Sequence, residues 1–122
     1  MKRQLIISNT AELLRLHTED ILCIEADGNY STLHVVGDEQ RVVLFQLGQL
    51  ELMISTQLGE EAEAFVRIGR SLIVNRNYIY YINPSRQILL LRDPSGRRYE
   101  TQKASHDSLK KLKELIEGKK SH

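Results

Sequence analysis

A single cysteine, Cys23, among 122 residues excludes an intramolecular disulfide and any multi-cysteine metal site. Its apolar neighbours Leu22 and Ile24 predict a buried, inert thiol, compatible with a reducing compartment. Apolar runs are short: none approaches the roughly 18 to 20 residues a membrane span needs. The opening Met-Lys-Arg-Gln-Leu-Ile-Ile-Ser is also too brief for a secretory signal, so the expected location is the cytoplasm, with no membrane contact. The four histidines (17, 34, 106 and 122) are scattered, with no i, i+4 pair and no zinc-type spacing. The chain has no Gly-Lys-Ser/Thr phosphate loop and no Gly-x-Ser-x-Gly elbow, and its seven glycines are spread through turns. No group of side chains converges on catalysis. The expectation is a protein that is not an enzyme and needs neither metal nor cofactor.

What is present is a divided charge. The net charge of +1 conceals thirteen basic and five acidic residues from Val66 onward, a surplus of eight, against four basic and eleven acidic residues in 1–65, a deficit of seven. A positive half of that size suits a polyanion-binding surface, and an acidic half discourages indiscriminate sticking. The opposing reading is that folding interleaves the halves and neutralises both. Length and 41% hydrophobic content predict one domain, able to fold without staples.

Taken in order, short apolar runs at Gln4 to Ser8, Glu12 to Leu16 and Ile21 to Ala26 read as strands. In the third, strict alternation puts Leu22, Ile24 and Ala26 on one face and Cys23 and Glu25 on the other. Glu25 then lies on the exposed face of an edge strand or is a partly buried acid paired with an arginine such as Arg67. After the turn at Asp27-Gly28-Asn29-Tyr30 come strands at Ser31 to Val36 and Arg41 to Phe45. From Gln46 to Gln57 the period changes: Leu47, Leu50, Met53, Ile54 and Leu58 mark one face of an amphipathic helix. An acidic loop, Gly59-Glu60-Glu61-Ala62-Glu63, follows and belongs away from any phosphate. Phe65 to Ile68 reads as a strand, and Gly69 to Asn75 as a tight turn or short helical segment. Two Asx-Pro-Ser turns, at Asn83 and Asp93, set a meander of strands at Tyr78 to Asn83, Gln87 to Arg92 and Arg97 to Thr101. A helix from about Asp107 to Glu117 closes the chain, with Ser105 as N-cap, a stripe of Leu109, Leu112, Leu115 and Ile116, Gly118 as terminator, and Lys119 and Lys120 near the negative end of its dipole.

The stretch Phe65-Val-Arg-Ile-Gly-Arg-Ser-Leu-Ile-Val-Asn75 closely resembles the signature of the LytTR family of DNA-binding domains, with Gly69 where histidine is commonest. Asp20-Ile-Leu-Cys-Ile-Glu-Ala-Asp-Gly-Asn-Tyr30 is similar to a second block of that family, with Cys23 replacing the usual aromatic. The resemblance covers about residues 13–116. It implies a mainly β fold (α+β minor), an elongated stack of small antiparallel sheets with one internal and one C-terminal helix. It further implies sequence-specific binding of double-stranded DNA and transcriptional regulation, with loops in the major groove, commonly on paired direct repeats and with weak self-association on DNA.

Carried over residue by residue, the resemblance makes Asn29, Tyr30 and Ser31 contact candidates in the first loop. Arg70 becomes a base reader able to grip guanine bidentately. Arg67 and Ser71 fit phosphate anchoring, with pairing to Glu25 as the other role for Arg67. Asn75 matches a characteristic position, whose local role is to cap the turn, and Arg76 is a polar neighbour. In the third loop the family usually has Val-Ser-Arg; here either His106 or Gln102-Lys103 takes the arginine's place, depending on register. The family usually follows a receiver domain, whereas residues 1 to 20 cannot form one. A stand-alone effector domain is expected, regulated by abundance or by an unknown protein partner. The alternative is a protein-interaction module that keeps the fold and has lost DNA affinity.

Overall fold

The computed structural model describes residues 3–101 and 103–118. Among them, ten strands and two helices follow in the order β1 (Gln4–Ser8), β2 (Leu13–His17), β3 (Ile21–Asp27), β4 (Tyr30–Val35), β5 (Glu39–Val43), α1 (Leu47–Leu58), β6 (Phe65–Ile68), β7 (Leu72–Asn75), β8 (Ile79–Asn83), β9 (Ile88–Arg92), β10 (Arg98–Thr101) and α2 (His106–Glu117). A five-stranded antiparallel sheet, ordered β5-β4-β3-β7-β6, lies between two layers. On one face sit α1 and the β1-β2 hairpin; on the other, the three-stranded sheet β10-β9-β8 and α2. The expected stack of small antiparallel sheets with two helices is what forms.

Each face carries its own core. Leu5, Ile7, Leu16, Ile24, Leu33, Leu50, Ile54 and Ile73 pack on the α1 side; Leu22, Cys23, Leu72, Val74, Leu89, Leu91, Leu109 and Leu112 on the other. Each such aliphatic side chain withdrawn from water contributes about 1.5 to 3 kcal/mol relative to exposure. Strand β7 was expected to be a turn or helical segment because it is buried on both faces. Leu72 and Val74 point to one core and Ile73 to the other, so the run shows no polar alternation. Strand β3 departs from strict alternation as well. Its register against β4 steps from Ile21↔Val35 to Cys23↔His34, a bulge that inserts one residue and sends Leu22 to the same core as Cys23.

The start of β5 also shifts, for a local reason. Strand β5 starts two residues earlier than expected because Gly37 and Asp38, with φ of +91° and +66°, complete the reversal and let Glu39 pair with Val35. In α2, Ser105 caps as expected, its hydroxyl accepting from Ser108 N, and Gly118 ends the helix at φ +75°. Only Leu109 and Leu112 are buried, however; Leu115 and Ile116 remain 44% and 41% exposed, because the helix meets the second core through its first two turns. Lys119 and Lys120 lie outside the described residues.

The turn at Asp93 ties the layers together. Asp93 Oδ1 accepts from Ser95 N (2.9 Å), Ser95 Oγ (2.6 Å) and Arg97 N (3.0 Å), while Oδ2 accepts from Gly37 N (3.1 Å) in the central sheet's β4-β5 turn. Burial alone would push this carboxyl up; the hydrogen bonds from Ser95, Gly37 and Arg97 outweigh it and hold it below the usual carboxylate range. A lowered folded-state value means the stabilisation is complete above the ordinary aspartate value of about 4 and is lost as pH falls through the depressed one. Asp93→Ala is therefore expected to cost about 2 to 3 kcal/mol in urea unfolding at neutral pH. The gap to wild type should close in acid, and a gap independent of pH would contradict this account.

Candidate nucleic-acid interface

Antiparallel register brings three connections to one end of the sheet. Glu25 pairs with Leu72 and Asp27 with Tyr30, so the β3-β4 turn lies beside the start of β7 and hence beside the β6-β7 turn, Gly69-Arg70-Ser71. Ala26 N donates to Ser71 O at 2.8 Å, fastening the two turns. Lys103 Nζ donates to Ala26 O at 3.2 Å, which brings the segment before α2 to the same place. Gln46, the residue before α1, reaches Asn29 Oδ1 from its Nε2 at 3.3 Å. Both helices thus begin at this end, with the positive ends of their dipoles beside the loops. Gly28 (φ +63°) and Gly69 (φ +59°) hold conformations that side chains resist, and so permit the tight reversals that bring the loops together.

The candidates separate sharply on this frame. Arg70 is exposed, with no hydrogen bond or ion pair among the described residues. Asn29, Lys103 and His106 are exposed at the same end, with Tyr30 47% exposed. Ser71 is half-buried between Arg70 and β7. Ser31 is fully buried and donates from its hydroxyl to Phe45 O at 2.7 Å, so its expected place on the surface is corrected: the hydroxyl braces the link into α1. Asn75 is likewise buried. Its Nδ2 donates to Thr18 O (3.1 Å) and Ile21 O (3.0 Å), and its Oδ1 accepts from Asn77 N (3.0 Å), which is the capping role and leaves nothing for DNA.

Arg76 stands at the opposite end. It lines a cavity of about 410 Å³ together with Glu19, Glu60, Glu61 and Glu63, where a phosphate would be repelled. The acidic loop thus lies at the end away from Arg70, as expected. Gln102 lies outside the described residues. Ala104 is buried in the second core, and Ser105 caps α2, so Lys103 and His106 flank a fixed point. Two polar residues at this end escaped sequence reasoning. Gln46 looked like an ordinary first helix residue, and Lys111 like one of several solvated lysines until the groove it shares with Gly69 and Arg67 was visible.

Arg67 and Glu25 do not pair. Arg67 points to the α1 face, where its Nη1 meets Glu51 Oε1 at 2.9 Å and its Nε donates to Gly69 O at 3.0 Å, bracing the β6-β7 turn. Glu25 lies in a central strand, not an edge strand, and faces the other layer. Its Oε1 accepts from His34 Nε2 at 2.6 Å and from the Tyr99 hydroxyl, and Lys103 Nζ lies 3.5 Å from its Oε2. The His34 hydrogen bond, reinforced by the Lys103 charge and opposed by burial, holds the Glu25 carboxyl below its ordinary value. Nearby Cys23 is pushed well up by burial and by Glu25, so it is the inert thiol expected.

A family description, the LytTr DNA-binding domain, matches residues 11–117. The chain belongs to the LytTR family of DNA-binding domains. This LytTR domain also shares its fold with the LytTr DNA-binding domain of a protein described as a methyl-accepting/DNA response regulator from Bacillus cereus. The TM-score is 0.62 at 20% identity, over 95% of this chain and 98% of the other, a likeness that shows the fold. No curated protein matches the chain. Membership supports DNA binding and transcription regulation in general, and no helix among the described residues is long and apolar enough to cross a membrane.

The split between surface and buried candidates is testable. Asn75→Ala should cost about 2 to 3 kcal/mol, because it removes the hydrogen bonds to the Thr18 and Ile21 carbonyls and from the Asn77 N–H, while the folded fraction keeps wild-type DNA affinity. A stable variant that binds DNA weakly would return Asn75 to the interface.

Proposed function

We propose that this LytTR domain is a sequence-specific transcriptional regulator that reads double-stranded DNA in the major groove through the loop end of its central sheet. The observation that carries the reading is the gathering of Arg70, Asn29, Lys103 and His106 at one end, with both helix N-termini beside them. Arg70 is the base reader. An arginine held on a short, braced turn can offer two parallel N–H donors to guanine O6 and N7, worth about 1 to 3 kcal/mol of discrimination. Lys103, His106, Ser71 and the amide groups of the helix ends suit phosphate. Tyr30 and Asn29 border the adjoining turn.

Two copies on direct repeats in the cytoplasm, associating weakly off DNA, complete the proposal, with abundance or a protein partner as the control. Repeats in one orientation require the copies to meet through unlike surfaces. The layered fold offers these: the exposed Tyr80, Tyr81, Arg92 and Arg98 on the outer sheet differ from Leu52 and Gln49 on α1.

The test is selection from a pool of random duplexes, followed by salt titration of wild type and Arg70→Ala. One enriched motif is expected, with affinity falling roughly 500-fold between about 50 and 200 mM salt, as about five phosphate contacts require. Arg70→Ala should relax one base position by about 1 to 3 kcal/mol. No enrichment, with no retention on DNA at low salt, would instead leave the domain as a protein-interaction module of the same fold.

A further inference from the structure

The cluster around Glu25 is built from four segments, β3, β4, β10 and the link into α2, and it ends at a lysine on the DNA-facing end. We propose that His34, acting through Glu25, sets how much of the Lys103 charge is offered to DNA, so that the domain binds DNA more tightly when His34 takes up a proton. The inference rests on the reading of the loop end as the DNA interface.

The carboxylate of Glu25 can only accept, so neutral His34 donates to it from Nε2 and leaves Nδ1 as the site that gains a proton. While His34 is neutral, the one negative charge of Glu25 is matched by Lys103, whose Nζ is shared between Glu25 Oε2 and Ala26 O. A phosphate approaching this lysine meets a pair of zero net charge. Once His34 is protonated, Glu25 is neutralised from the opposite side, at 2.6 Å and largely out of water, and the cluster carries a net +1. Lys103, with 46% of its side chain exposed, is then free to exchange the carboxylate for a phosphate oxygen. Bound phosphate in turn favours the protonated imidazole, so DNA binding takes up part of a proton.

Other charges near His34 are already engaged or balanced. The Tyr99 ring packs on the imidazole at 4.2 Å, and its hydroxyl is committed to Glu25. Asp38, Glu39, Asp93, Arg97 and Arg98 line a small cavity beside it. Among them, Arg97 pairs with Asp38 at 2.9 Å, Glu39 with Arg41, Asp93 accepts the turn hydrogen bonds, and Arg98 lies over the Tyr80 ring. Glu25 is the acid in hydrogen-bond contact with the ring. Both residues are positioning residues, since neither reaches the surface that meets DNA.

The experiment follows DNA affinity by fluorescence anisotropy between pH of about 5.5 and 8, the range in which imidazoles titrate. It uses the His106→Gln background, which removes the exposed imidazole near Lys103. Affinity should rise roughly fivefold toward acid, at the low end of typical couplings, and the salt slope should steepen by about one phosphate contact. His34→Gln, which keeps a donor to Glu25 and cannot titrate, should flatten both; Glu25→Gln should flatten them at the tighter level.

In parallel, side-chain NMR without DNA should show the Lys103 Nζ signal titrating with the His34 ring in wild type and losing that link in Glu25→Gln. An unchanged pH ratio in folded His34→Gln overturns the proposal. So does a Lys103 signal indifferent to His34 in a protein that still binds DNA. Linked signals with no DNA binding at any pH overturn the interface reading instead, and the inference with it.

Discussion

The whole arrangement depends on two strands having no solvent face. Strands β3 and β7 lie side by side inside the five-stranded sheet, with β4 as the third inner strand, and hydrophobic layers cover them above and below. Burying a strand on both sides requires apolar residues in both phases, which Leu72-Ile73-Val74 supplies directly and β3 supplies with the help of its bulge. With these strands central, every other element is placed by them. Helix α1 and the first hairpin can only cover one face, and the β8-β10 meander with α2 only the other. Polar groups on β3 must then be satisfied inside the protein, which explains the partners collected by Glu25.

The same constraint fixes the loop end of the sheet. Antiparallel neighbours of β3 reverse direction where β3 stops, so the turns at Gly28 and Gly69 become neighbours in space although about forty residues separate them in sequence. The buried hydroxyl of Ser31, the Ala26 bond to Ser71 O and the Arg67 bond to Gly69 O are the supports that hold those turns. A base-reading side chain needs such a mount, because a guanidinium on a loose loop gains little from a two-pronged hydrogen bond. Ser31 and Arg67, first read as contact candidates, thus brace the loop end through internal bonds.

Much of the fold was legible because hairpins announce themselves locally. Asx-Pro-Ser turns, a change of period at Gln46 and the cap and terminator of α2 each act within a few residues, and each appears close to its expected boundary. What escaped was whatever depends on distant chain. A strand covered on both sides loses its alternation, so β7 looked like no strand at all. Ser31 and Arg67 have the chemistry of DNA contacts, and only the Phe45 carbonyl or the Glu51 carboxylate shows that they are occupied. The partners of Glu25 come from β4, β10 and the link before α2, beyond any local pattern. The family resemblance pointed to loops that the fold does bring to one end, but it could not say which side chains in them turn inward.

Part of the separation of charge along the sequence survives in space, although Arg67, Arg97 and Lys103 pair with acids of the first half. Glu19, Glu60, Glu61 and Glu63 gather at one end of the central sheet, while Arg70, Lys103 and Lys111 lie toward the other. A molecule with nearly zero net charge gains little long-range attraction to a polyanion, but a dipole of this kind feels a torque in its field. With the loop end as the proposed DNA interface, the domain would be turned loop end first before any contact forms, and encounters that arrive acidic end first would be pushed away. On that reading the placing of charge would also act in the geometry of collision, raising the share of encounters that arrive correctly oriented, beside the phosphate contacts that hold the seated loops.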